Sequence, residues 1–279
     1  MSPIKFLIRT FKEYYKKNEK ILPEVSDFTK REFAFLPWDK PIMLRHMGFD
    51  NISSLNHYII NTAPKHIYSS GSLYSHPEIA QMENKGYEGC DLITDIDVDH
   101  FYTPCKDDHD GWYCKSCLKN GKGMPTVCPE CGSLKLKRIS WICDKCLNVA
   151  KKEVFKLLYN FLIPDFGIDE SSVMIAFSGH RGYHLKVEDD NLRKLSSDAR
   201  REIVDYLTGN NLNFELLGLR TRSGIVYGLS KQNIGWASKL NKEIEQLLIQ
   251  SDLDIEHFLM DTGFKKNQIK SFLNQKDLF

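Results

Sequence analysis

The sequence predicts a mixed α/β protein with an inserted metal-binding module, and three observations lead to this prediction. Two stretches, LITDIDVD at 92–99 and VMIAF at 173–177, have the apolar patterns of strands. Amphipathic helical patterns occupy the N-terminus and most of the chain after residue 190. Between the two predicted strands, seven cysteines fall within 42 residues, a density typical of a metal-binding segment.

The composition is that of a globular protein. Hydrophobic residues make up 42% of the 279 residues and charged residues 27%, which suits one large domain or two small ones. The net charge of +1 means that any nucleic-acid binding must use local patches or a partner. No apolar run reaches transmembrane length, and the N-terminus lacks a signal-peptide cleavage site. We expect a cytoplasmic protein with reduced cysteines and no membrane association.

Helices are expected at both ends of the chain and in its middle. The N-terminal segment has aromatic residues among lysines, the pattern of an amphipathic helix that packs on the domain. An apolar stripe predicts a helix over 144–163, which ends before Pro164. The segment SSDARREIVDYLTG has a capping start and Gly209 as its stop. KLNKEIEQLLIQ and KKNQIKSFLNQ predict two more helices in a mainly helical region at 191–279.

Three aspartates share one face of the first predicted strand. With a period of two, Asp95, Asp97 and Asp99 fall on one face, and mainly apolar residues fall on the other. Alternate side chains on a strand are roughly 6.6 Å apart, so the carboxylates repel one another unless a cation lies between them. A bound magnesium ion would remove that repulsion. The alternative is an acidic strand edge that faces solvent without a metal.

The cysteine block offers eight metal ligands, enough for two tetrahedral zinc sites with no position left for substrate, which indicates structural zinc. The ligands are Cys105, His109, Cys114, Cys117, Cys128, Cys131, Cys143 and Cys146. In a nested pairing, the four middle cysteines close a hairpin ribbon and the other four ligands form the outer site. In a sequential pairing, the first four ligands form one site and the last four the other. We favour nesting, because Gly121, Gly123 and Pro125 lie between YCKSC and VCPEC as in a zinc-ribbon hairpin.

A polar loop, SGHRGYH, follows the second predicted strand, which we expect to be buried. Gly179 and Gly182 permit a tight turn and a close approach of backbone to a ligand. Ser178, Arg181 and His184 supply hydrogen-bond donors that suit an anionic phosphate. Carboxylates that hold a metal, facing donors that hold phosphates, are the arrangement that a metal–triphosphate needs.

These segments resemble the catalytic small subunit of the archaeal and eukaryotic DNA primase. REFAF at 31–35 and the following IMLRHMGF resemble one block of that family, and YSSGSLY at 68–74 resembles a second. DLITDIDVD resembles its aspartate motif, and FSGHRGYHLKV its S-G-x-R-G-x-H motif. The resemblance covers about residues 25–190 and includes a C-x-x-C that opens a helix between the last two motifs.

The resemblance implies a prim domain, in which two small sheets frame a cleft beside a zinc module. Its expected parts are a catalytic domain at 1–104 and 147–190, a zinc stem at 105–146 and the helical region at 191–279. It makes Asp95 and Asp97 the catalytic ligands of Mg²⁺ or Mn²⁺, and leaves Asp99 beside the site without a counterpart. The expected nucleotide-binding residues are Ser178, Arg181, His184, Glu32 and Arg45.

The function that the resemblance implies is synthesis of short RNA, or DNA, primers on single-stranded DNA from nucleoside triphosphates by two-metal nucleotidyl transfer. The expected partner is the primase large subunit, in a protein associated with the nucleoid. Two alternatives stay open. One is a repair polymerase of the same superfamily, and the other is a non-catalytic zinc-binding scaffold of a replication complex.

One departure from the family pattern concerns the third catalytic aspartate, which the family carries on a later strand. After His184 the chain offers Asp252, Asp254 and Asp261, none in such a setting. The chain stops before its last catalytic strand, uses a rebuilt third ligand, or receives one from another chain. The sequence does not separate these readings, nor does it fix the preference for ribo- or deoxyribonucleotides.

Overall fold

The structure is a computed structural model that describes residues 2–18, 25–101, 103–217, 220–222, 225–227 and 235–276. The chain divides into two compact units. The first contains Met1–Val154 and Asp169–Ala199, and the second contains Phe155–Ile168 and Arg200–Phe279. Small antiparallel sheets and helices alternate along the chain, so the predicted mixed α/β class is confirmed.

The described residues form the following regular elements. The strands are β1 (Arg31–Leu36), β2 (Leu44–Met47), β3 (His66–Tyr74), β4 (Tyr87–Cys90), β5 (Leu92–Asp97), β6 (Gly111–Cys114), β7 (Asn120–Lys122), β8 (Leu136–Ile139), β9 (Val173–Phe177), β10 (Gly182–Val187), β11 (Arg220–Arg222) and β12 (Ile225–Tyr227). The helices are α1 (Pro3–Lys17), α2 (Ile52–Thr62), α3 (Lys106–His109), α4 (Asp144–Leu157), α5 (Ile163–Phe166), α6 (Asp190–Arg193), α7 (Ser197–Thr208), α8 (Gly235–Leu248), α9 (Asp252–Asp261) and α10 (Lys266–Leu273).

The first sheet of the first unit has the strand order β2-β1-β3-β4 and is antiparallel throughout. Phe33 and Phe35 on β1 are buried against Leu55 and Ile59 on α2, because alternate residues of a strand point to the same face. Tyr15 on α1 packs against the same cluster. The predicted N-terminal amphipathic helix is therefore confirmed, and its apolar face covers one edge of this core.

The second sheet has the order β5-β10-β9 and carries both polar motifs. In its antiparallel register Gly182 pairs with Asp97 and His184 pairs with Asp95. The two sheets adjoin where the Asp91 N–H donates to the Gly71 carbonyl oxygen, 2.9 Å away. The predicted buried position of VMIAF is wrong, since β9 is an edge strand with one neighbour and most of its side chains are exposed.

The insertion that contains the cysteines has its own three-stranded sheet, in the order β7-β6-β8. Its small core consists of Trp112, Cys114 and Cys128, with Cys117 and Leu136 packed beside them. So few apolar residues bury little surface, and bound metal would supply the missing stability.

The second unit is mainly helical. The predicted helix over 144–163 is divided in the structure: α4 ends at Leu157, one π-helical turn covers Leu158–Leu162, and α5 follows. Pro164 does not end the helix as predicted, because it lies in the first turn of α5, where no backbone N–H is needed. The other three predicted helices correspond to α7, α8 and α10. Among the described residues, no helix is long and apolar enough to cross a bilayer.

Candidate active site and zinc module

The aspartates of the first motif lie at the end of β5. Asp95 and Asp97 are strand residues, and Asp99 follows in a short 3₁₀ turn at Val98–His100. The side chain of Asp95 is 68% exposed and that of Asp97 is 22% exposed. The two carboxylates on the strand therefore point out of the core and are accessible to a ligand.

The second polar motif places Arg181 and His184 beside these carboxylates. Arg181 Nε lies 3.0 Å from Asp97 Oδ2, and Arg181 Nη1 lies 2.5 Å from Asp99 Oδ2. His184 Nε2 lies 3.6 Å from Asp95 Oδ1. The strand register sets His184 opposite Asp95 and Gly182 opposite Asp97, so that Arg181, directly before β10, reaches both Asp97 and Asp99. The guanidinium of Arg181 thereby offsets part of the negative charge of the three aspartates.

Ser178 closes the loop that carries Arg181. The Gly182 N–H donates to Ser178 Oγ at 3.1 Å, and the Ser178 N–H donates to the Gly182 carbonyl at 2.9 Å. Gly179 has a φ of +83°, a conformation that side chains disfavour. A Cβ at position 182 would collide with the Ile96 carbonyl oxygen. The predicted tight turn is confirmed, and Gly182 allows a close approach to the backbone of β5, whereas the approach of the loop to a ligand stays a prediction.

Asp95 and Asp97 supply the donor type that Mg²⁺ and Mn²⁺ prefer, since both ions take carboxylate oxygens and keep open positions for phosphate and water. Across the described residues, however, no set of three carboxylate, histidine or cysteine ligands surrounds these aspartates. Asp252, Asp254 and Asp261 lie on or at the ends of α9, in the second unit. The aspartate pair offers carboxylate oxygens of the kind that a divalent ion takes, and a second ion needs another anionic ligand.

Glu32, the acidic residue expected in the nucleotide pocket, is held on β1 by two partners. Its Oε1 accepts a hydrogen bond from the His46 N–H at 2.9 Å, and its Oε2 forms an ion pair with the buried Lys85. Burial opposes ionisation of Glu32, but the bond from Lys85 and that from the His46 backbone hold its pKa below its ordinary value. Arg45 lies next to His46 on β2 and is exposed.

His46 and Lys85 contact the expected site residue Glu32, and the sequence motifs did not indicate either of them. His46 is a non-glycine residue with a φ of +61°, in a sparsely populated region that costs free energy and is common at functional sites. Its ring Nδ1 lies 3.2 Å from both Lys85 Nζ and Glu32 Oε1. Lys85 also lies 4.8 Å from the ring centroid of Tyr74. These contacts fix Glu32 in one orientation.

A second buried charge cluster, also missed by the motifs, anchors the start of β5. Asp91 directly precedes the strand and is fully buried, as is Arg31, whose Nη1 lies 2.7 Å from Asp91 Oδ2. Arg193 Nε lies 2.6 Å from Asp91 Oδ1, and Lys186 Nζ lies 3.2 Å from Asp91 Oδ2. The cluster thus ties β1, β10 and α6 to the residue four positions before Asp95.

The eight predicted zinc ligands form two groups. Cys105, His109, Cys143 and Cys146 form the outer group, and Cys114, Cys117, Cys128 and Cys131 form the inner group. Within each group all four ligand atoms lie within 4.8 Å of one another. This grouping confirms the nested pairing and excludes the sequential one.

The spacing of the sulfur atoms suits zinc. Bonds of about 2.3 Å to a tetrahedral zinc ion place two sulfurs roughly 3.8 Å apart. In the outer group Cys143 Sγ lies 3.7 Å from Cys105 Sγ and 3.8 Å from Cys146 Sγ. The ring of His109 presents Nε2 to this group and places Nδ1 2.9 Å from Asp110 Oδ1, the second contact that orients a zinc-binding histidine.

We expect two zinc ions per chain, measured by elemental analysis of purified protein. Cys143→Ser should lower stability more than Cys128→Ser, because the outer group joins the stem to α4, whereas the inner group closes a projecting hairpin. Thermal unfolding of the two variants, each with its zinc content measured, provides the comparison. One zinc per wild-type chain, or a larger loss of stability in Cys128→Ser, would contradict this assignment.

Comparisons with known proteins agree with these motifs. The family model for the DNA primase small subunit matches residues 135–265. The chain is 34% identical to the DNA primase small subunit PriS of Methanothrix thermoacetophila over 97% of its own length and 63% of that protein. It is 33% identical to the PriS of Thermoplasma acidophilum over 85% of its length and 61% of that protein. The identity to the PriS of Archaeoglobus fulgidus is 39%, over 74% of the chain and 50% of that protein.

The chain therefore spans about three fifths or less of the length of these relatives. The matches include both polar motifs and the cysteine insertion, since the first covers nearly the whole chain. The paired aspartates, the polar loop in register beside them and the nested zinc ligands fit the same family. On these grounds the chain is similar to DNA primase small subunits over nearly its whole length.

Proposed function

We propose that this chain carries the nucleotidyl-transfer site of a DNA primase, which joins nucleoside triphosphates into short primers on a single-stranded DNA template. The observation that supports this proposal is the register of β5 and β10. It sets Asp95 beside His184 and Asp97 beside Gly182 and Arg181, so that two carboxylates and two nitrogen donors share one exposed surface. A divalent metal bound to a triphosphate has the complementary charges.

The residues divide the work of binding. Asp95 and Asp97 would hold Mg²⁺ or Mn²⁺, which when bound favours ionisation of the attacking 3′-hydroxyl and neutralises the pyrophosphate. Arg181 now pairs with Asp97 and Asp99, and would turn its guanidinium toward phosphate oxygens. His184 would donate a second hydrogen bond. Ser178 holds the loop closed and places its hydroxyl beside them.

Complete catalysis requires more than these groups. A second metal ion needs a further carboxylate, and we propose that a partner supplies it, since no third ligand surrounds Asp95 and Asp97 among the described residues. We therefore expect metal-dependent binding of nucleoside triphosphate by the chain alone and little primer synthesis. Addition of the primase large subunit should restore synthesis on single-stranded DNA.

The test is a primer-synthesis assay with labelled nucleotide on single-stranded DNA, with and without a pre-annealed primer. Synthesis without a primer supports a primase, and extension that requires a primer supports the repair polymerase. Metal-dependent nucleotide binding without turnover under any of these conditions supports the scaffold. Strong synthesis by the isolated chain would show that one of its own carboxylates, such as those on α9, completes the site.

Arg181→Gln should weaken binding of nucleoside triphosphate about tenfold to 100-fold, because hydrogen bonds to charged groups contribute about 1.5–3 kcal/mol. Binding of the corresponding nucleoside, which has no phosphates, should change little. Isothermal titration in Mn²⁺ with both ligands measures the difference. Equal losses for triphosphate and nucleoside would place Arg181 outside the phosphate site, and Arg9→Gln on α1 is the matched control.

A further inference from the structure

The zinc ribbon, residues 111–139, has a surface that the site on β5 and β10 does not use. Six cationic side chains lie in this segment and all are exposed, against one acidic side chain, Glu130. The cations are Lys115, Lys119, Lys122, Lys135, Lys137 and Arg138. Among the described residues, none of the six takes part in an ion pair, whereas Lys106, just before the ribbon, binds the Val98 and Phe101 carbonyl oxygens. The ribbon is therefore locally basic in a chain of net charge +1.

Two of these lysines flank an aromatic ring on one face of the sheet. Residues paired directly across an antiparallel sheet point to the same side. Tyr113 on the central strand pairs with Asn120 on β7 and with Lys137 on β8. Lys122 pairs with Gly111, two positions before Tyr113, and so lies on the same side. We call this side, with Tyr113, Asn120, Lys122, Lys137 and Ile139, the tyrosine face.

The tyrosine face points away from the predicted zinc ligands of the ribbon. Trp112 and Cys114, the residues on either side of Tyr113, point to the opposite face, where they pack with Cys128. Four thiolates with one zinc ion leave a net negative charge on that opposite face, and Arg138, which pairs with Trp112, is placed to balance it. Lys122 and Lys137 point away from the thiolates, so their charges are available to another anion.

We propose that the tyrosine face binds single-stranded nucleic acid, with a base stacked on Tyr113 and backbone phosphates beside Lys122 and Lys137. Bases stack on aromatic side chains without regard to sequence, and flanking cations hold the backbone, which is how many proteins bind single strands. A duplex offers phosphates but keeps its bases stacked inside. The choice of nucleic acid as the ligand rests on the proposed function, whereas the location on the ribbon rests on the sheet register and charges.

The test compares adjacent charge reversals on opposite faces. Fluorescence anisotropy of the full chain with a fluorescein-labelled single-stranded DNA is measured without nucleotide, Mg²⁺ or Mn²⁺, and without chelator so that zinc stays bound. Lys137→Glu should weaken binding about fivefold or more and reduce the slope of log affinity against log salt by about 0.7 per lost phosphate contact. Arg138→Glu makes the same charge change on the other face and should have a clearly smaller effect.

Stacking is tested separately from charge. Tyr113→Ala should weaken binding about tenfold, and Tyr113→Phe, which keeps the ring, should bind as the wild type does. Unlabelled duplex of the same sequence should compete less well than the single strand. Zinc content of two per chain in each variant confirms that the ribbon is folded.

Three results would overturn this assignment. They are equal losses from Lys137→Glu and Arg138→Glu, unchanged binding by a zinc-loaded Tyr113→Ala, and competition by the duplex equal to that of the single strand. Binding of nucleoside triphosphate in Mn²⁺ separates this proposal from the proposed function, because Lys137 lies outside the site on β5 and β10 and Lys137→Glu should leave that binding unchanged. Weaker oligonucleotide binding by Lys137→Glu with unchanged triphosphate binding supports the tyrosine face, whereas a wild-type chain that binds the oligonucleotide but no triphosphate contradicts the proposed function alone.

Discussion

Asp97→Asn is expected to abolish the gain in affinity for nucleoside triphosphate that a divalent metal provides. In Mn²⁺ the dissociation constant should rise by about 100-fold or more, because a metal-bridged phosphate contributes several kcal/mol and the asparagine carries no charge to hold the ion. Without metal, the variant should bind triphosphate as tightly as the wild type or more tightly. The reason is the ion pair between Arg181 and Asp97, which the substitution breaks, so that Arg181 keeps only Asp99 as a partner and turns more readily toward phosphate.

Asp95→Asn should also abolish the metal-dependent part of the affinity, but without the gain in metal-free buffer, since Asp95 contacts His184 and makes no pair with Arg181. Both variants should lose primer synthesis in the presence of the large subunit. Asp50→Asn, an exposed carboxylate beyond β2, is the matched control and should leave both affinities unchanged. Titrations of each protein with and without Mn²⁺ give the comparison. An Asp97→Asn protein that retains the metal-dependent affinity would remove Asp97 from the metal site.

The parts of the site that the sequence predicted are those with a local pattern. Asp95 and Asp97 alternate along one strand, and three C-x-x-C pairs fix the zinc ligands within a short segment. Strand period and metal-ligand spacing are geometric rules that act over a few residues, so they are visible without a structure. The nested zinc pairing followed for the same reason, from glycine and proline positions in one hairpin.

The missed residues are held by partners that are distant in the sequence. Lys85 is 53 residues from Glu32, and Arg193 is 102 residues from Asp91. A lone lysine or arginine in a polar segment is usually solvated, and its burial depends on which strands the fold brings together. Asp99 illustrates a smaller failure. The alternating pattern predicts a strand that continues through Asp99, but the strand ends at Asp97 and Asp99 lies in a 3₁₀ turn. The ion pair between Asp99 and Arg181 is formed from that turn.

The apolar strand β9 was assigned to the core because its sequence is continuously apolar. Such a run is typical of a strand covered on both faces. In the structure β9 forms one edge of its sheet, and Met174 and Phe177 are exposed. An apolar sequence indicates that a strand is buried on its faces. Whether the strand lies at the edge or in the centre of a sheet depends on the strand order, which the local sequence does not contain.

The second large effect is expected at Asp91, outside any catalytic contact. Asp91→Asn should destabilise the first unit by about 3–5 kcal/mol, because removing one partner of a buried ion pair leaves the other charge uncompensated. Arg31 is fully buried and would lose its 2.7 Å ion pair, while Lys186 and Arg193 would lose their contacts with the same carboxylate. Urea unfolding followed by circular dichroism measures the change in the free energy of unfolding.

The exposed carboxylate Asp190 provides the matched control for this loss. It pairs with the same Arg193 at 3.3 Å, but its side chain is 81% exposed. Asp190→Asn makes the same chemical change in solvent, where an ion pair contributes about 0–1 kcal/mol. A loss in Asp91→Asn no larger than that in Asp190→Asn would mean that the buried cluster adds nothing to stability.

The pH dependence of unfolding tests the same ion pairs of Asp91, because protonation removes the charge that Asp91→Asn removes by substitution. Burial opposes ionisation of Asp91, yet hydrogen bonds from Arg193 and Arg31 hold its pKa below the ordinary value. A carboxyl group with a lowered folded-state pKa stabilises the protein above its unfolded-state pKa of about 3.9, and this contribution is lost as pH falls through the folded value. The wild type should therefore lose stability more steeply than Asp91→Asn as pH falls below about 4, and the difference between the two proteins should narrow. Because Asp91 anchors the start of β5, the variant should also bind metal–triphosphate more weakly at neutral pH, while its zinc content stays at two per chain. Parallel pH profiles for the two proteins would show that Asp91 is not the group that titrates.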